Sequence, residues 1–317
     1  MARSRKLEAL LAQVNAVRSA LPPQGDASPK DAATQERLRQ VLQSKVGVAI
    51  AQAARLIGQH SLTELVPDLV AAFEQARVNP EKTDPNCLGK TAIADALYRL
   101  DYSDDALFLQ GIHHVQMEPV WGGQEDTAAE LRGTCALGLV RMNYPDVMTE
   151  LADLLADPEA PARIAAARAI AYSGNPHGVP LLRLRARIGD DPPVIAECLA
   201  ALLKLAPTPS VPFVAEFLNH PHPQTQELTA LALGESRLPE ALPPLQHWWA
   251  QTPDPEFQKT ALLAIATLRF DAALQFLLTL LTHSNQATAQ AAFDALSIYQ
   301  QDTALWQEVR SRYSSRE

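Results

Sequence analysis

The chain is short of the residues on which several function classes depend. Three cysteines in 317 residues cannot staple a domain of this size, and they predict a reducing, cytoplasmic setting. Aromatics make up 6% and charged residues 20%, so the 47% hydrophobic content falls mainly on Ala, Leu, Val and Ile, a helix-favouring mix. No apolar run suits a membrane span: the richest window, Ala261 to Leu281, is interrupted by Arg269 and Asp271. The opening Met-Ala-Arg-Ser-Arg-Lys leads into an amphipathic stretch, so no signal peptide is expected. Positive charge is scarce as well. A net charge of −9 argues against a nucleic-acid partner, because neutralising phosphates takes clustered Lys and Arg. There is no glycine-rich phosphate loop, and no signal assembles a nucleophile, a base and an orienting acid. The expectation is therefore a chain that is not an enzyme and carries no cofactor.

What is present is a repeat. Residues 169–182 and 232–245 share a small residue, a Leu or Ile after it, a turn and a new apolar start. Carried along the chain, that register gives eight anchor alanines: Ala53, Ala96, Ala136, Ala169, Ala201, Ala232, Ala264 and Ala295. They are spaced by 43, 40, 33, 32, 31, 32 and 31 residues. Each unit reads as two helices, the second starting about ten residues after the anchor, with apolar residues at helical spacing as in Leu274, Leu277, Leu278 and Leu281. None of the 24 prolines falls from six residues before to four after an anchor. Pro158, Pro180, Pro212, Pro243 and Pro255 stand where helices start or turns fall. Asp157-Pro158, Asp191-Pro192 and Asp254-Pro255 read as turns with caps. No stretch alternates long enough to be a strand.

Helix pairs this short cannot bury their apolar faces alone; stacked neighbours bury them jointly. The pattern resembles HEAT repeats, most closely the HEAT-like repeats of phycobiliprotein bilin lyases of the two-subunit type. Arg163 to Ile170, Lys90 at the position equivalent to Arg163, and the Asp-Pro turns carry the resemblance, which spans roughly residues 45 to 313. It implies an all-α, right-handed solenoid of about eight helix pairs over residues 45–317, behind a helical cap at residues 1–44. In the cap, Leu7, Leu10, Leu11, Val14, Val17 and Leu21 form one stripe, a break follows from Pro22 to Pro29, and a second helix starts near Asp31. Residues 1–50 hold eight basic and four acidic residues, which suits either a plain cap or a basic arm for an acidic partner. The tail from Arg310 is expected to fray.

Two of the spacings are long, and the additions fall at the same place in neighbouring units: residues 78–89 and 113–127. They are expected to touch on one edge and to hold the partner or ligand site, with Trp121 at least partly covered. The candidates are Asp84 and Cys87 in the first, and His113, His114, Gln116, Glu118, Trp121, Glu125 and Asp126 in the second. Were the helix to continue to Pro119, His114 and Glu118 would share a face and could ligate a metal with Glu125 or Asp126; the main expectation is no metal. His220 and His222 have H-x-H spacing without a third ligand. Cys87 would be reactive only if a cation lowered its pKa; Cys135 and Cys198 read as core. Of Trp248 and Trp249, one is expected to face inward and one outward. Anchor-helix positions −5, −1 and +2 should turn away from the core, giving a groove lined by Leu131, Ile164, Arg168, Leu203 and Leu231 for a partner helix or a flat apolar ligand.

These features predict a protein-binding scaffold whose partner is another protein. The alternative that the resemblance implies is a bilin lyase-like factor that binds a tetrapyrrole and assists its attachment to a phycobiliprotein.

Overall fold

The computed structural model describes residues 2–20 and 32–315. The break expected from Pro22 to Pro29, and Leu21 of the N-terminal stripe, lie outside the described residues. Contacts divide the chain into two units that meet at Ser173 and Gly174. Among the described residues no helix is long and apolar enough to cross a membrane.

In the first unit, the N-terminal helix Ala2–Ala20 lies on helices Ala32–Leu42 and Gly47–Gln59 and buries Val14 and Val17 against them. The pairs Gly47–Gln59 with Val66–Ala76, Leu88–Arg99 with Asp105–Ile112, and Ala129–Arg141 with Val147–Leu155 follow, and Ala160–Ser173 closes the unit. The leading helices of these pairs pack side by side. The second unit opens with Gly178–Ile188. Four pairs come next: Pro192–Leu205 with Pro207–Ala215, Pro223–Glu235 with Leu242–Gln251, Pro255–Thr267 with Asp271–His283, and Gln286–Leu296 with Thr303–Ser314. Here too each leading helix rests on the next.

The anchor positions explain the stacking. Every anchor alanine is buried, and so is the residue after it in every unit but one. The exception, Leu137, corrects the register. It is only half-buried, whereas Gly138 and Leu139 are buried. The anchor of that helix is therefore Gly138, and the spacings on either side become 42 and 31 instead of 40 and 33. Glycine replaces alanine there because a Cβ would lie 2.5 Å from the ring of Phe108.

Three other local expectations need correction. Pro212 lies inside the helix Pro207–Ala215 rather than at its start. Asp254 caps its helix through Glu256 N, and Asp157 accepts from Glu159 N, but Asp191 makes no side-chain cap bond. The tail is helical as far as Ser314, because Tyr313 packs on Phe293 with ring centres 4.6 Å apart and accepts a bond from Gln286 Nε2.

Leu202 and Leu233 are both fully buried beside their anchors. Truncating either to alanine is expected to cost about 2–5 kcal/mol. Chemical denaturation of the two single variants checks this; a loss under about 0.5 kcal/mol in both, the scatter of ordinary surface changes, contradicts the repeat register.

Candidate functional site

The second long insertion contains a feature that its sequence pattern does not announce. The helix ends at Ile112, and residues Met117–Val120 (β1) and Gly123–Asp126 (β2) pair as an antiparallel hairpin, with Met117 opposite Asp126 and Val120 opposite Gly123. Trp121 and Gly122 form the tip, and Gly122 takes φ +91°, a conformation in which a side chain would be strained. A lone two-stranded hairpin is marginal in water. This one persists because its base is fastened.

The fastening begins at a buried charge. Lys90 has no exposed surface. Its ammonium donates to Asp84 Oδ2 at 3.0 Å, Gln116 Oε1 at 2.7 Å and the Ala76 carbonyl at 3.3 Å. All three of its protons are thus used. Asp84 also accepts from the backbone of Gly89 at 2.6 Å and Lys90 at 3.0 Å, and so satisfies the start of helix Leu88–Arg99. Gln116 then joins the two insertions. Its amide donates to the Asp84 carbonyl at 2.9 Å and to Glu118 Oε1 at 2.6 Å, and its backbone N–H donates to Asp126 Oδ1 at 2.9 Å. Glu118 Oε1 further accepts from Asn86 N at 2.6 Å and Thr127 Oγ1 at 2.8 Å. The two long loops do meet on one edge.

The network runs on into the next repeat. Arg132 is buried; it contacts Asp126 at 2.6 Å and Asp157 at 2.7 Å, and donates to the His114 carbonyl at 2.9 Å. Arg163 donates to the carbonyls of Asp157 and Pro158 at 2.8 and 2.7 Å. In all three repeats the cation stands six residues after the aspartate: Asp84 and Lys90, Asp126 and Arg132, Asp157 and Arg163. Burial by itself would raise the Asp126 pKa, but bonds from the Gln116 and Ala128 backbone and from Arg132 outweigh it and hold the carboxyl below its usual range. Burial lowers the pKa of His114, and the positive charge of Lys90 adds to the effect.

The candidate residues now divide by role. Asp84, Cys87 and Gln116 are buried and cannot touch a partner. His114, Glu118 and Asp126 are half-buried parts of the base. His113 is exposed and lies 3.0 Å from Glu150. Glu125 is exposed, and Trp121 is wholly so at 103%, which overturns the expectation that it is covered. His114 and Glu118 do not share a helical face, since the helix ends at Ile112, before both, and Glu118 lies in β1. Among the described residues no three His, Cys, Asp or Glu side chains are placed to hold a metal ion. His220 accepts instead from the backbone N–H of His222 at 3.1 Å. Burial pushes the Cys87 thiol up to about 12, far from a reactive thiolate, and does the same to Cys198. Trp248 is buried on Phe257; Trp249 does not face outward freely but packs edge-on against Phe276.

The groove residues also need revision. Leu131 is buried, a consequence of the two-residue error in that unit's register. With the anchor at Gly138, positions −5 and −1 are Gly133 and Leu137, which line a groove of about 480 Å³ together with Ile164 and Arg168. Leu203 is only 5% exposed, because position +2 tucks inward, as Ala171 and Ala266 also do. Leu231 is half-buried. The apolar face divides into this groove in the first unit and another of about 300 Å³ in the second, lined by Ala200, Leu203, Lys204, Ala232, Glu235 and Ser236. Arg132, Asp157 and Glu150 were absent from the expected site.

The family model described as HEAT repeats matches residues 123–203 and 248–306, under half of the chain. The chain thus carries HEAT repeats in an all-helical repeat fold, with one small hairpin. Among solved structures it is similar to the complex of CpcE and CpcF of phycocyanin lyase from Nostoc sp. PCC7120, at 17% identity and a TM-score of 0.38, over 72% of this chain and 89% of that one. An engineered protein is similar at 16% identity and a TM-score of 0.37, over 97% and 94%. No curated protein matches.

Lys90→Met leaves the buried Asp84 carboxylate without its ion partner and is expected to cost about 3–5 kcal/mol. Adding Asp84→Asn should restore part of that loss, as measured by urea denaturation of the single and double variants. Acid should weaken the same region. Both His114 and Asp126 have pKa values lowered by folding, so the unfolded chain binds more protons. The His114 contribution is present above about pH 6.5 and fades below it; that of Asp126 fades below about pH 4. Protection factors for the amides of residues 116–127, measured across pH, should fall in those two windows, and His114→Gln should remove the first.

Proposed function

We propose that the chain is a non-catalytic protein-binding scaffold, and that the hairpin edge of its first unit reads the partner. One observation carries this: Trp121 stands fully exposed at the tip of a hairpin whose base is pinned by buried charges. An exposed indole contributes nothing to the fold, whereas Trp is prominent among side chains that dominate interfaces. Pinning the base lowers the ordering entropy of docking. Val120 beside it is exposed as well and adds to the apolar contact at the tip. Insertions of this length in a short-period repeat favour a binding role over a connecting one.

The experiment is affinity capture from the native lysate, comparing wild type with Trp121→Ala. The variant should lose at least about tenfold of the specifically retained protein, the size of effect expected for an anchoring Trp, with an unchanged melting curve. Equal capture by wild type and by the variant, with the fold intact, refutes this use of the hairpin.

A further inference from the structure

Three lysines converge on a cleft of about 400 Å³ in the first unit, a volume suited to one apolar group and its neighbours. Lys6 comes from the N-terminal helix, Lys45 from the turn before helix Gly47–Gln59, and Lys82 from the first insertion; Leu7, Val48 and Pro85 supply apolar walls. Among the described residues, no acidic side chain lines the cleft. That is notable in a chain of net charge −9. Behind the cleft, Asp84 is fully buried and paired with Lys90. It lies so close that a Cβ on Gly47 would fall 2.4 Å from its Oδ1. Helix Gly47–Gln59 starts at the cleft after Val46, which offers no side-chain cap, and the positive end of the helix dipole adds to the lysines. Lys6 donates to the Ser44 carbonyl at 3.2 Å; an ammonium has two further protons to give. The cleft also adjoins the hairpin: Pro85 is followed by Asn86, whose backbone N–H bonds Glu118 at the hairpin base.

We infer that this cleft binds an acidic segment of the partner protein, seating one apolar side chain between Leu7, Val48 and Pro85 and setting the flanking carboxylates against Lys6, Lys45, Lys82 and the helix start. Charge complementarity selects the occupant. The basic excess of residues 1–50 thereby gains a defined use, as two of the three lysines belong to it. The inference rests on the protein-binding reading above and names the chemistry of its partner.

The test uses the full chain and a short fluorescein-labelled peptide with a central Leu-Phe pair flanked by glutamates, read by fluorescence anisotropy. Two control peptides carry Gln for every Glu, or Ser for Leu and Phe. The acidic apolar peptide should bind, each control should bind at least about tenfold more weakly, and added salt should weaken binding. Lys45→Glu with Lys82→Glu should reduce affinity at least about tenfold, and the milder Lys45→Gln with Lys82→Gln by a smaller factor, in proteins whose circular dichroism matches wild type. Equal binding of the Gln peptide, no binding of any peptide, or full affinity in both lysine variants overturns the inference. Preferential binding of phosphatidylserine vesicles overturns it too, as does concentration-dependent self-association dispersed by the lysine variants. In lysate capture, partner loss with Trp121→Ala but not with the lysine variants defeats the cleft alone. Peptide binding lost with the lysine variants, while capture survives Trp121→Ala, defeats the hairpin alone.

Discussion

The ammonium of Lys90 is the group on which the first unit's edge depends. Removed from water, it must place all three of its protons, and it does so on Asp84, Gln116 and the Ala76 carbonyl. Those acceptors belong to three separate stretches of chain, two of them the long insertions. Each insertion closed alone would carry the full entropic cost of a long loop. Tied to one buried cation, they order each other. The charge also fixes the direction of both loops at once, because its protons go to an acceptor in each.

The chain's period was largely legible in its residues, since a buried Ala followed by Leu or Ile recurs at each contact between stacked helices. The register failed in one place for a physical reason. Phe108 occupies the volume that an alanine Cβ would need, so the anchor there is Gly138, and the nearby Ala136 takes its apparent place. That slip hides a second pattern. Lys90 and Arg163 fall at one position relative to their anchors, but Arg132 is two residues out of line until the anchor moves. The aspartate six residues earlier becomes meaningful only when all three cations align.

The hairpin was less legible. Its strands are four residues long, and Pro119 interrupts the first, so neither alternation nor strand propensity marks them. Gly122 was visible as a turn residue but not its partner strand. The meeting of the two insertions could be foreseen from their equivalent positions in adjacent repeats. The exposure of Trp121 could not, because it depends on Gln116, Glu118 and Thr127 turning inward to satisfy the base and leaving the tip outside.

Arg132 carries a further consequence. It grips Asp126 at the foot of the hairpin and Asp157 in the following turn. A free energy applied at the hairpin is therefore shared with the packing of the neighbouring repeat, and by linkage the sharing is reciprocal. Whatever steadies the hairpin raises the protection of the repeat behind it, and loosening of that repeat loosens the hairpin. In a stack whose stability is a sum of nearest-neighbour terms, this guanidinium makes one of those terms depend on the order of the hairpin.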